Sequence, residues 1–170
     1  MARCYREESH AVMPTYKDCT VCREWHNYQN FAEWFYKNLP NDGERYHLEK
    51  DLKMVGNKEY GPSACIFVKP VVNLFITDCA AARGEYMVGV TVDKLTGKFR
   101  SRCRNPMTSR RESLGLFNKE IDAHMAWRKR KYELACELAM LQEDKGVKAA
   151  LLGWADALSS FKVHVLPDRG

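Results

Sequence analysis

The sequence predicts an α+β fold, and three observations carry that expectation. Three short β-prone runs, Val88 to Val92, Lys98 to Arg104 and Arg111 to Leu116, follow one another closely. The intervening Asp93-Lys94-Leu95-Thr96-Gly97 and Asn105-Pro106 have turn-forming composition, so the runs read as an antiparallel sheet. An uninterrupted helical pattern then starts behind Asn118, a good N-cap residue, and continues to about Glu143.

The remaining elements follow in chain order. Tyr28, Phe31, Trp34 and Phe35 recur at helical spacing, which predicts a helix over Asn27 to Asn38 with its rings on one packed face. Pro40 and Asn41-Asp42-Gly43 end that helix in a turn. Residues 44 to 55 alternate loosely as a strand, Gly56-Asn57 and Tyr60-Gly61-Pro62 form turns, and Cys65 to Val68 is a short apolar strand. The small residues between Thr77 and Gly84 read as a linker. Within the long helix, Ile121, Met125, Leu134, Leu138 and Leu141 keep a rough helical period, and Arg128 to Lys131 give a basic middle. Gly146 breaks it, and Val147, Leu151, Trp154, Leu158 and Phe161 mark a final amphipathic helix. The stripe is too short for an independent coiled coil, so it either folds back on the body or joins two copies as a homodimer. The expected units are therefore 1–76, a linker at 77–84, a sheet-and-helix domain at 85–143, and a helix and tail at 144–170.

Composition narrows the function classes. The 170 residues are 45% hydrophobic and 29% charged, as in a folded protein rather than a disordered one. The longest apolar runs, Cys65 to Val68 and Val71 to Ile76, are too short to span a bilayer, so no membrane partner is expected. No signal-peptide pattern stands at the start, which predicts a cytoplasmic or nucleoid location. Seven scattered cysteines in a reducing compartment predict buried thiols or metal ligands rather than a disulfide framework. The net charge of +5 is modest, so its placement matters more than its size.

That placement is concentrated in one strand. Alternation sends Lys98, Arg100, Arg102 and Arg104 to one face and Phe99, Ser101 and Cys103 to the other. Four like charges on one sheet face repel one another unless an anion joins them. A short antiparallel sheet of this kind fits the DNA major groove, with arginine reaching guanine edges or phosphates.

Further elements carry a resemblance. Tyr86-Met87-Val88-Gly89-Val90, Gly97-Lys98-Phe99-Arg100 and Leu114-Gly115-Leu116-Phe117, followed by an Ala-containing helix, resemble the plant ethylene-response-factor (APETALA-two) DNA-binding domain. The resemblance implies a three-stranded sheet lying in the major groove with a helix packed behind it. It places Arg100, Arg102, Arg104 and Arg111 on DNA-facing positions, and Ser113 where that family usually has tryptophan. The candidate DNA-binding set is Thr91, Lys98, Arg100, Arg102, Arg104, Arg110 and Arg111.

In the first half, Arg3-Cys4-Tyr5, Val21-Cys22-Arg23-Glu24-Trp25, Asn27 to Trp34, Leu48-Glu49-Lys50-Asp51, Gly56 to Tyr60 and Pro62-Ser63-Ala64-Cys65 resemble the HNH-like (homing-type) endonucleases of bacteriophages. The resemblance implies a ββα or treble-clef-type unit that cuts DNA with Mg²⁺ or Mn²⁺, a histidine activating the attacking water. The candidate catalytic set is His47, Glu49, Asp51 and Asn57. Lys50 stands near the expected base, His47 lies on the opposite strand face from it, and Ala64 replaces the usual asparagine.

Cys19 and Cys22 have zinc-knuckle spacing, and Cys4 and Cys65 (with His10 as a substitute) complete a candidate structural Zn²⁺ set. The alternative is that all four are small buried hydrophobes. His26, His124, Glu24 and Glu33 read as packing or surface residues. Three functions stay open: a DNA endonuclease of phage type, a non-catalytic duplex-DNA-binding regulator on the same scaffold, and a phage protein that binds and inhibits a host protein.

Overall fold

The structure, a computed structural model, describes residues 2–77 and 85–160. Phe161 and most of the expected linker lie outside them. The fold is α+β, with elements in the order α1 (Ala2–Tyr5), α2 (Glu7–Val12), β1 (Thr20–Val21), α3 (Tyr28–Asn38), β2 (His47–Glu49), β3 (Glu59–Tyr60), β4 (Ile66–Val68), α4 (Pro70–Ile76), β5 (Val90–Val92), β6 (Phe99–Arg104), β7 (Arg111–Phe117), α5 (Glu120–Met140) and α6 (Lys145–Ser160). No helix among the described residues is long and apolar enough to cross a membrane.

Helix α3 begins at the Asn27 N-cap, whose side chain accepts the Gln29 backbone N–H at 2.9 Å. Its Phe31 and Trp34 pack around buried Trp25 with Cys4, Cys19, Val21 and Cys65. Tyr28 departs from the expected stripe and stands in solvent. It makes a tilted ring contact with Phe31, 6.4 Å between centroids.

The strand expected over residues 44 to 55 is only three residues long, because Lys50 and Asp51 turn the chain away. β2 pairs antiparallel with β4, His47 opposite Val68 and Glu49 opposite Ile66. With α4 following directly, these elements form a ββα unit. β1 and β3 make a separate parallel pair, Thr20 opposite Glu59.

β5, β6 and β7 form one antiparallel sheet with β6 in the middle. Buried Val90, Ser101 and Cys103 face α5. The β5–β6 turn is tied by the Asp93 carboxylate, which accepts from the Thr96 N–H and hydroxyl, each at 3.0 Å. Gly97, at φ 69°, supplies the left-handed residue that closes it. The expected N-cap Asn118 is displaced. β7 runs on through Phe117, paired with Phe99, so the cap position falls on Lys119, which makes no side-chain cap bond. Glu120, in the first turn of α5, instead accepts the Met87 N–H.

The principal core joins both halves of the chain. Leu52, Val68, Val72 and Phe75 from the first half pack with Cys103, Leu134, Leu138, Val147 and Leu151. The final amphipathic stripe is used here: Val147 and Leu151 are buried against the core, with Trp154 packed at its edge. α6 thus folds back on α5, the fate expected of it if it is not a dimer seam.

The basic middle of α5 also turns inward. Buried Arg128 donates to the carbonyls of Leu158 and Ser159, neutralising the last turn of α6. Lys131 sits 3.6 Å from the Phe75 ring centroid and donates to the Phe75 carbonyl, pinning α4 to α5. Arg130 forks onto Glu112 of β7, at 2.7 Å and 3.2 Å, and also reaches Glu133 and Glu137. These cations are struts between elements rather than an external basic patch.

Candidate nucleic-acid interface

The sheet places its cations by alternation and then by one irregularity. In β6, Ser101 and Cys103 are buried, so Arg100, Arg102 and Arg104 face away from α5. Across the ladder, Arg102 opposes Ser113 and Arg104 opposes Arg111. Between them and the sheet's other end, the register shifts: Ser101 opposes Gly115, so Leu114 is the extra residue of a β-bulge. Gly115 occupies φ 127°, which a residue with a Cβ rarely adopts. Leu114 keeps its core contact, and Leu116 emerges on the outer face opposite Arg100. Simple alternation from Arg111 puts Leu116 inside, which is why the sequence does not mark it. The bulge-making Gly115 is the one signal that could have.

The outer face is uneven in charge. Arg100 forms an ion pair with Asp93, whose carboxylate is buried in the β5–β6 turn. Arg102, Arg104, Arg110 and Arg111 make no ion pair or side-chain hydrogen bond with any described residue. Lys98 is exposed at the head of β6, and Thr91 is exposed on β5, opposite Arg100. Two arginines directly opposed on neighbouring strands, with a third beside them and none of the three paired with a described carboxylate, repel one another in the free protein. The opposite face is firmly held: Asn105 and Arg130 both engage Glu112, and they hold its carboxyl well below the usual range, at about 2.

The carboxylate cluster of the first half is arranged differently from a metal centre. Glu49 Oε1 accepts the backbone N–H groups of Lys50 (2.9 Å) and Asp51 (2.7 Å). Burial pushes the Glu49 carboxyl above its ordinary range. The buried Lys50 ammonium donates to Asp51 Oδ1 at 2.6 Å and to the Asn57 carbonyl at 2.9 Å, near the Tyr60 ring. The Asn57 amide is taken by the carbonyls of Lys50 and Glu59. His47 stands apart from this group, its Nδ1 3.0 Å from the Asn73 side-chain amide on α4. The structure therefore gathers Glu49, Asp51 and Asn57 around Lys50 and pairs His47 with Asn73, a residue that no sequence signal singles out. Hard divalent ions require several oxygen ligands, and here the Lys50 ammonium holds Asp51.

Cys4, Cys19, Cys22 and Cys65 do meet in the cluster around Trp25. Cys19 Sγ donates to the Thr15 carbonyl at 3.6 Å, and burial pushes the Cys65 thiol up to about 11. Among the described residues, no group of three or more His, Cys, Asp or Glu side chains is set to hold a metal ion. The packing supports these cysteines as small hydrophobes. His10 bonds the Cys4 carbonyl at 3.1 Å, His26 the Val21 carbonyl at 3.1 Å, and His124 the Val88 carbonyl at 2.9 Å while stacking on Trp127.

Comparison of the chain with protein-family models, curated proteins and solved structures finds no match.

Proposed function

We propose that this protein binds duplex DNA through the outer face of the β5–β6–β7 sheet and does not cut it. The observation that carries this reading is the directly opposed pair Arg104 and Arg111, flanked by Arg102, none of which is ion-paired with a described residue. Such a face is relieved by a polyanion, and antiparallel strands can present arginines to base edges in the major groove. The resemblance to the ethylene-response-factor domain points the same way. The Glu49–Lys50–Asp51–Asn57 group acts as a clasp that fixes the chain after β2, with the Lys50 ammonium donating to Asp51 and to the Asn57 carbonyl.

The test is titration of labelled duplex with the wild type and with Arg102→Ala/Arg104→Ala. The expected result is tight, steeply salt-dependent binding by the wild type, weakened at least tenfold in the double variant. Equal binding by both would overturn the assignment of the face. Supercoiled plasmid incubated with protein and Mg²⁺ or Mn²⁺ should stay intact. Nicking that disappears in Asp51→Ala would restore the endonuclease reading.

A further inference from the structure

The basic face is not uniform, and its less basic end has its own chemistry. Thr91, Arg100 and Leu116 form a row across the three strands. Arg100 is drawn toward the turn by Asp93, which reduces its freedom to project outward. Leu116 is 44% exposed on the outer face, opposite Arg100. The bulge at Leu114–Gly115 is what turns it outward. A leucine held on an arginine-bearing face gains nothing from phosphate. In the major groove, the one apolar group that a base edge offers is the C5 methyl of thymine.

We propose that Leu116 reads thymine in the major groove, while Arg102, Arg104 and Arg111 contact guanine or phosphate at the other end. This rests on the DNA-binding reading above. It divides the footprint into a methyl-sensitive end and a salt-sensitive end, and it makes Leu116 a specificity-determining residue rather than an affinity anchor.

The experiment uses the full-length protein and duplexes recovered by selection from a random pool. Each thymine of the selected site is replaced in turn by deoxyuridine, which removes only the C5 methyl. The wild type should lose about fourfold in affinity at one or two adjacent positions, the value of a single buried methylene-sized group. Leu116→Ala should bind with the wild type's salt dependence but no longer distinguish thymine from uracil at those positions. Uniform indifference of the wild type to uracil, with salt-dependent binding intact, overturns this inference and leaves the DNA-binding reading standing. Methyl sensitivity that persists unchanged in Leu116→Ala also overturns it, since the methyl then acts through DNA shape or another side chain. Absence of duplex binding by the folded wild type overturns both.

Discussion

Lys50 shows how a single residue settles the chemistry of its surroundings. A buried ammonium must be paired, and Asp51 together with the Asn57 carbonyl does this. Asp51 is about half exposed (47%), so its removal is cushioned by water. We expect Asp51→Ala to cost about 1–2 kcal/mol in urea unfolding. Glu49→Gln should be neutral near pH 7, because an amide oxygen still accepts the N–H groups of Lys50 and Asp51. A metal-free clasp predicts that neither variant changes stability in response to added Mg²⁺. Ser101 poses the opposite case. Its hydroxyl is fully buried with no hydrogen-bond partner among the described residues. Ser101→Ala should therefore leave stability unchanged or raise it by up to about 1 kcal/mol. A clear loss in chemical denaturation would reveal a hydrogen bond that the structure does not contain.

At the scale of elements, two glycines define the sheet. Gly89 lies at φ 80° against Trp127 of α5, and a Cβ there would fall inside the indole. Gly89→Ala combines a disfavoured backbone with overpacking, and we expect a loss of about 3 kcal/mol or more, read from the unfolding midpoint. A Cβ at Gly115 would meet the Phe117 ring at ordinary contact distance, 3.4 Å, but at an unfavourable φ. Gly115→Val should strain the bulge and rotate Leu116, lowering duplex affinity beyond what its modest cost in stability explains. If affinity and stability fall in proportion instead, the bulge is a structural device and not one that aims a side chain.

Across the whole molecule, the sheet and the helices are joined by charge as well as by packing. Glu112 on β7 is clasped by Asn105 and by the forked Arg130 of α5, and its carboxyl is held at about 2. Its depressed value means that the stabilisation is present above the ordinary carboxylate range and is lost as pH falls from about 4.5 toward 2. Acid unfolding of the wild type should carry this limb, and Glu112→Gln should flatten it. The principal core runs from Leu52 through Cys103 to Leu151, so the two halves share buried surface. We expect one cooperative thermal transition with coincident aromatic and far-ultraviolet signals. Two separated transitions would show that the halves hold their own stability.

Much of the fold was legible in local pattern. The period of two in residues 98 to 104 and the turn residues around it determined the sheet and its charged face. The helical period marked α3, α5 and α6, because amphipathicity is a property of spacing alone. What spacing does not encode is which partner meets a charge. Arg128, Arg130 and Lys131 looked like one basic patch and became three internal struts, and Arg100 was claimed by Asp93. Lys50 stood near a site for a base and became the cation of a clasp, because the chain turn brought Asp51 and Asn57 to its ammonium. The bulge exposed Leu116 by breaking the alternation from which faces are read. The sequence by itself determined the α+β elements and the stripe of arginines. Only the tertiary structure decided which charges are left without partners, since pairing depends on distances between segments far apart in the chain.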